Sequence, residues 1–397
     1  MTRPSGALVA LCFAMLGFHV GVRAVQLSDL VPALGLTPGE LGLASSAGVL
    51  AGIATLAGGG LVVDRLGRRP ALVAGFAGAG AAFAAMSAVD SFVQFLAANV
   101  ALGLSISIVD LGVNTVASDY ERAAGAHTMT GFHSWFSLGA AAGAGSCAVG
   151  LAVGIGFRPT FLALGLMLAA TALVVAFGRL PQAARPSPAP AGEPRARFLG
   201  PLVLLATAIV FFCFFGDGIL ETFLSTYLRI DGHDVVLAGG VLAAFHAASW
   251  GGRIVFQRTL SRVKERTVLV IVGTVASAAT AAGLYAPAGW AALGCFAVVG
   301  FALSPIVPLG MSIAGRAAPA GHSGRAVGFV TSVGYTAFIL SPLTAGAIAD
   351  RWGLHTAISL AAVTMGAVAA LGFGVRRGRR SREREPGGAV ASSGEPR

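Results

Sequence analysis

The sequence predicts an all-α membrane protein of twelve transmembrane helices in two pseudo-symmetric six-helix bundles, and three observations carry that prediction. First, 55% of its 397 residues are hydrophobic and only 11% are charged, whereas about a quarter of a water-soluble domain is charged. Second, twelve apolar segments approach the ~20 residues needed to cross ~30 Å of hydrocarbon. Third, placing the N-terminus in the cytoplasm puts every basic residue in a tail or a cytoplasmic loop except Arg23, Arg158, Arg229, Arg253 and Arg351. Outer loops carry Asp29, Glu40, Asp90, Asp231, Asp234 and Asp350 instead. That asymmetry puts both termini on the cytoplasmic side of a cell (plasma or inner) membrane.

The expected spans are 6–28, 40–63, 71–89, 92–118, 131–154, 158–179, 200–228, 235–257, 266–286, 288–314, 324–348 and 354–374. All are read as helices, because lipid offers the backbone no hydrogen-bond partner and the alternation of a membrane barrel is absent. The first span continues past His19 and Arg23 with no small-x-small cleavage site, so it is read as a helix rather than a leader. Between the second and third spans, Gly60 to Arg69 supplies one aspartate and three arginines at a tight turn. Its glycines allow a sharp bend, and its charges must stay at the water boundary.

The fifth span carries Gly139, Gly143, Ser146, Gly150 and Gly154, a small-residue stripe suited to close helix packing. Residues 180–199, with Pro181, Pro186, Pro188, Pro190 and Pro194, are too polar and proline-rich to span and read as a cytoplasmic linker. The chain thereby divides into an N-terminal bundle (1–179), the linker (180–199), a C-terminal bundle (200–374) and a disordered basic tail (375–397). The halves echo each other: Gly131-Phe132 opens the fifth span as Gly328-Phe329 opens the eleventh. Degenerate repeats of this kind are the mark of transporters built from two rocking bundles.

Other classes are disfavoured. The net charge of +10 lies in gaps between apolar runs, which points to membrane topology and away from nucleic acid. Cys12, Cys147, Cys213 and Cys295 fall inside apolar spans without CxxC spacing, so they are read as packing residues. No HExxH or GxSxG is present, so the chain is not read as an enzyme, and no cofactor or metal is expected.

The Gly60–Arg69 turn resembles the signature loop between the second and third helices of the major facilitator superfamily, with Val62 and Val63 replacing the more usual leucine and small residue. Asp110 and Asn114, Phe132-His133, Ser137-Leu138-Gly139 and Gly251-Gly252-Arg253 are similar to the fucose-permease-like branch and its uncharacterised bacterial relatives. The resemblance covers residues 6 to 374. It implies a fold in which the first, fourth, seventh and tenth helices line a central cavity. The fifth span lacks the Gly-Pro motif of the superfamily's drug antiporters.

Intramembrane charge costs about 2.5–3.5 kcal/mol per group on insertion scales, so it should face a cavity or a partner. His19 and Arg23, Asp110 and Asn114, and Asp217 and Glu221 are each four residues apart and share a helical face. His19, Arg23, Asp217 and Glu221 are expected to form an outer gate in which Arg23 pairs with Asp217 or Glu221. Asp110, Asn114, His133 and Arg253 are expected to form an inner one, and His246 to pack or relay protons. Burial disfavours the charged form of a carboxylate, which makes Asp110 and Asp217 the first candidate proton carriers and Glu221 the next. Their alternative role is to neutralise Arg23 and Arg253. Trp135, Tyr227, Trp250 and Tyr335 are candidates for stacking on a ligand. In the cytoplasmic turn, Gly60, Asp64, Arg65, Gly67 and Arg68, with Arg122, form a gate: Asp64 is expected to latch onto the N-terminus of the eleventh helix, which Ser323 could cap.

The function read from these residues is secondary active transport by alternating access, with proton-coupled uptake of a small polar solute such as a sugar. Proton-driven efflux of drugs or metabolites is the alternative, and a non-transporting sensor or intramembrane enzyme the alternative from another class. The expected partners are a small-molecule substrate, protons and the lipid bilayer, with the chain a monomer.

Overall fold

The computed structural model describes residues 6–124, 128–180, 199–259, 262–286, 289–319 and 322–375, leaving out the side chains of 56–66 and 130. The linker and tail expected at 180–199 and 375–397 lie almost wholly outside the described residues. The described chain is helical: α1 (Gly6–Leu34), α2 (Pro38–Leu66), α3 (Arg68–Met86), α4 (Phe92–Ala124), α5 (Met129–Ala152), α6 (Phe157–Phe177), α7 (Pro201–Ile230), α8 (Val235–Thr259), α9 (Glu265–Leu284), α10 (Gly289–Leu303), α11 (Ile306–Ala317) and α12 (Ser323–Gly372). Among the described residues, ten helical stretches are long and apolar enough to cross a membrane.

Two elements differ from the expected spans. The tenth span is broken into α10 and α11 at Ser304-Pro305, because proline lacks an N–H and its ring clashes with the preceding turn. The eleventh and twelfth spans run together as the 50-residue α12, turned at Gly353, whose φ of 82° only glycine adopts readily. At ~1.5 Å per residue, 50 residues are more than twice the thickness of the hydrocarbon, so α12 holds two crossings.

Packing follows the expected repeat. In the first half α1 packs on α5, α2 on α4 and α3 on α6; in the second α7 packs on α12, α8 on α10 and α9 on α12. Backbones approach closely where glycines face each other. A Cβ on Gly17 or Gly21 would lie 1.8 or 2.0 Å from a carbonyl oxygen of α5, and one on Gly139 or Gly143 2.1 or 2.3 Å from a carbonyl of α1. Two GxxxG pairs therefore interlock α1 and α5. The expected stripe does not extend further: Gly150 has only Ile155 nearby, at 3.8 Å, and Gly154 terminates α5 with φ 83°.

The halves meet along α2–α12, α5–α8 and α1–α7. The tight contacts cluster at the face carrying the α1–α2 and α7–α8 turns, called distal here. There a Cβ on Gly42 would sit 2.2 Å from the Pro342 oxygen and one on Gly239 2.6 Å from Ala148, and the Ser46 hydroxyl donates to the Ile339 carbonyl at 2.6 Å. Toward the opposite, proximal face, Gly131, Gly324 and Gly328 on α5 and α12 have nothing within 4 Å of a built Cβ.

Candidate functional site

The polar residues of α7 and α8 form one cluster. On α8 the residues Gly239, Ala243, His246, Trp250 and Arg253 recur at helical spacing on one stripe, the stripe that meets α5 at Gly239 and Gly145. His246 Nε2 lies 3.1 Å from Glu221 Oε1 on α7, an ion-pair distance off the line of a hydrogen bond, and both side chains are largely buried. Asp217, one turn from Glu221, interacts electrostatically with Glu221, His246 and Arg253. Arg253 reaches back to the other half, its Nη1 donating to the His133 carbonyl at 2.8 Å. Two acids, one histidine and one arginine thus share the seam between α7, α8 and α5.

Several expected partners are rearranged. Arg23 forms an ion pair with neither Asp217 nor Glu221; its Nη2 donates to Ser45 Oγ at 3.0 Å and Asn99 Oδ1 at 2.9 Å, tying α1 to α2 and α4. The reason is directional: Arg23 points into its own half, although Glu221 remains within its electrostatic reach. His19 is turned away as well, its buried ring 6.1 Å from that of Phe83 on α3. Asp110 and Asn114 share a face as expected, with Asn114 Nδ2 donating to Asp110 Oδ1 at 3.0 Å. The His133 ring packs edge-on against Phe13 of α1 at 5.1 Å.

The aromatic candidates divide. Tyr335 packs with Phe214 of α7 and with Phe338, and its phenol interacts electrostatically with Asp110 of the other half. Trp250 lies on the His246 stripe and is 37% exposed. Tyr227 is not available for stacking: it is buried near the distal face, and its hydroxyl donates to the Leu284 carbonyl at 3.3 Å. Trp135 is also displaced. It shares an exposed stripe with Leu138, Ala142, Ser146, Val149 and Val153, the outward face of α5.

At the proximal turn, Arg68 pairs with the fully buried carboxylate of Asp119, which Arg122 also contacts at 3.0 Å. The sequence alone does not single out Asp119, because a lone aspartate near a helix end is ordinarily solvated; its one local signal is its position three residues before Arg122. Arg69 donates to the Ala176 and Gly178 carbonyls at 3.1 and 2.7 Å, capping the C-terminus of α6. Gly67 turns the chain with φ 88°. The side chains of Asp64 and Arg65, and the surroundings of Gly60, lie outside the described residues. The N-cap of α12 is His322 rather than Ser323, and it makes no side-chain capping hydrogen bond.

Many apolar crossings, an internal packing repeat and charged groups held between the halves define a polytopic membrane transporter. The chain belongs to the Major Facilitator Superfamily, whose sequence profile matches residues 7–295 and 268–394; the family is one of transporters, not enzymes. An uncharacterised MFS-type transporter of Yersinia pestis is 26% identical over 276 residues, 69% of this chain and 71% of that one. The multidrug efflux pump Tap of Mycolicibacterium fortuitum is 35% identical over 134 residues, 33% of this chain and 31% of Tap. The crystal structure of a bacterial homologue of the human lysosomal transporter Spinster, inward-facing and unoccupied, superposes with a TM-score of 0.73 at 13% identity, covering 92% of this chain and 95% of that one. That likeness concerns the fold.

Proposed function

We propose that this chain moves a small polar solute by alternating access coupled to proton movement, with Glu221 as the principal proton-carrying group. The observation that carries the reading is the buried Glu221–His246 pair at 3.1 Å, with Asp217 and Arg253 in electrostatic reach. A deprotonated Glu221 attracts Arg23 of the opposite half; a proton on Glu221 removes that attraction and frees the halves to rock. Asp110, within electrostatic reach of Tyr335 in the other half, is the second candidate. The proximal face is the cytoplasmic one in this reading, and residues 1–179 and 200–374 move as units about the 180–199 linker.

The direction proposed is uptake, because α5 lacks the Gly-Pro motif of the drug antiporters. Efflux is the second reading, favoured by the local likeness to a pump named for multidrug efflux. The test is reconstitution in vesicles with sugars, organic acids and hydrophobic cations, with and without an imposed proton gradient. Glu221→Gln should abolish gradient-driven accumulation while retaining solute exchange. Undiminished gradient-driven accumulation by Glu221→Gln overturns the assignment.

A further inference from the structure

We propose that Asp350 is a positioning residue for transport: a carboxylate that latches the distal face shut by capping α2 of the opposite half. The proposal rests on the alternating-access reading, though not on proton coupling. Asp350 Oδ1 accepts the Gly39 N–H at 2.9 Å across 311 residues of sequence. Gly39 is the second residue of α2, so its N–H is among those a helix start leaves without an internal partner. The neighbouring amides at Thr37 and Glu40 are satisfied locally by a reciprocal capping box, Thr37 N to Glu40 Oε2 at 2.9 Å and Glu40 N to Thr37 Oγ1 at 3.1 Å. The Gly39 amide alone of the three is given to the other half.

The seam is shaped for this contact. A Cβ on Gly39 would lie 2.1 Å from Asp350 Oδ2, and one on Gly346 2.6 Å from the Pro38 carbonyl. Asp350 also stands in the last turn before Gly353, where the partial negative charge of its own helix end opposes a carboxylate. The positive N-terminus of α2 is what compensates it.

The sequence shows the same device twice. Gly346-Ala347-Ile348-Ala349-Asp350-Arg351-Trp352-Gly353 repeats the Gly-x-x-x-Asp-Arg-x-Gly of Gly60 to Gly67. Both terminal glycines adopt one conformation, φ 88° and ψ 157° at Gly67 against φ 82° and ψ 160° at Gly353. α2 and the first crossing of α12 pack against each other and run in opposite directions. Each therefore ends in an aspartate at the face where the other begins, Asp350 at the start of α2 and Asp64 at the face where α12 starts. On this proposal Asp350 holds the distal face closed, and the second copy of the motif stands at the proximal end of α2.

Hydrogen–deuterium exchange of the full-length protein in detergent separates this from a merely structural role. Asp350→Asn should shift the distal-closed to distal-open ratio about two- to fivefold, the scale of one charge at an exposed helix N-terminus. Deuterium uptake should rise in peptides covering 36–46 and 340–350 and fall in those covering 322–330. Asp350→Glu should restore most of the wild-type pattern, and Asp64→Asn should move uptake the opposite way. Unchanged distal uptake in Asp350→Asn overturns the latch, as does a rise at both faces, which is plain destabilisation. Opposite shifts in the two aspartate variants support it even where Glu221→Gln retains proton-driven accumulation, so the two readings fail separately.

Discussion

Replacing Gly21 by alanine tests whether the α1–α5 interlock sets the stability of the first half. The added Cβ would lie 2.0 Å from the Ala140 oxygen and 2.7 Å from the Ala144 nitrogen, both backbone atoms. Ordinary contact begins at 3.4 Å, so the helices must part by about 1.4 Å. Overpacking of a close-packed site costs about 1–3 kcal/mol, and the rigid backbone neighbours place this site near the upper end. Alanine recovers about 1 kcal/mol of helix propensity, which leaves a net loss of about 1–2 kcal/mol. Gly328→Ala is the internal control: with nothing within 4 Å of its Cβ it should gain up to about 1 kcal/mol. Thermal unfolding of the purified protein in detergent should put Gly21→Ala a few degrees below wild type and Gly328→Ala level with it or above. A Gly21→Ala protein as stable as wild type would refute the close-packing argument.

Further outcomes follow from the buried polar groups. Asp119→Asn should destabilise by about 1–3 kcal/mol, since it strips the charge from a buried carboxylate shared by Arg68 and the more exposed Arg122; chemical denaturation would measure it. Arg69→Gln should cost about 0.5–1.5 kcal/mol and raise hydrogen exchange at the C-terminus of α6, where its two carbonyl contacts are lost. Gln26 is fully buried, with Nε2 donating to Thr160 Oγ1 at 3.0 Å and Oε1 unpartnered. Gln26→Met should therefore stay within about 1 kcal/mol of wild type, whereas Thr160→Val, which removes that acceptor, should cost about 1–3 kcal/mol. The reverse order of the two melting temperatures would contradict this.

The amino-acid sequence by itself determined the solvent, the crossings and the family of this protein. Hydropathy dictates helices wherever lipid denies the backbone a partner, and the Gly60–Arg69 turn carries its family signature in consecutive residues. Period-3.6 spacing also placed Asp110 with Asn114 and Asp217 with Glu221 on shared faces. Which group each face meets is a different matter, because a helix fixes only the direction of a side chain and packing decides what stands opposite. Tertiary structure alone paired Glu221 with His246, gave Arg23 to Ser45 and Asn99, buried Asp119 between two arginines and turned Trp135 outward. It also joined Asp350 to an amide 311 residues away: two antiparallel helices bring the end of one to the start of the other, a juxtaposition with no trace in local spacing.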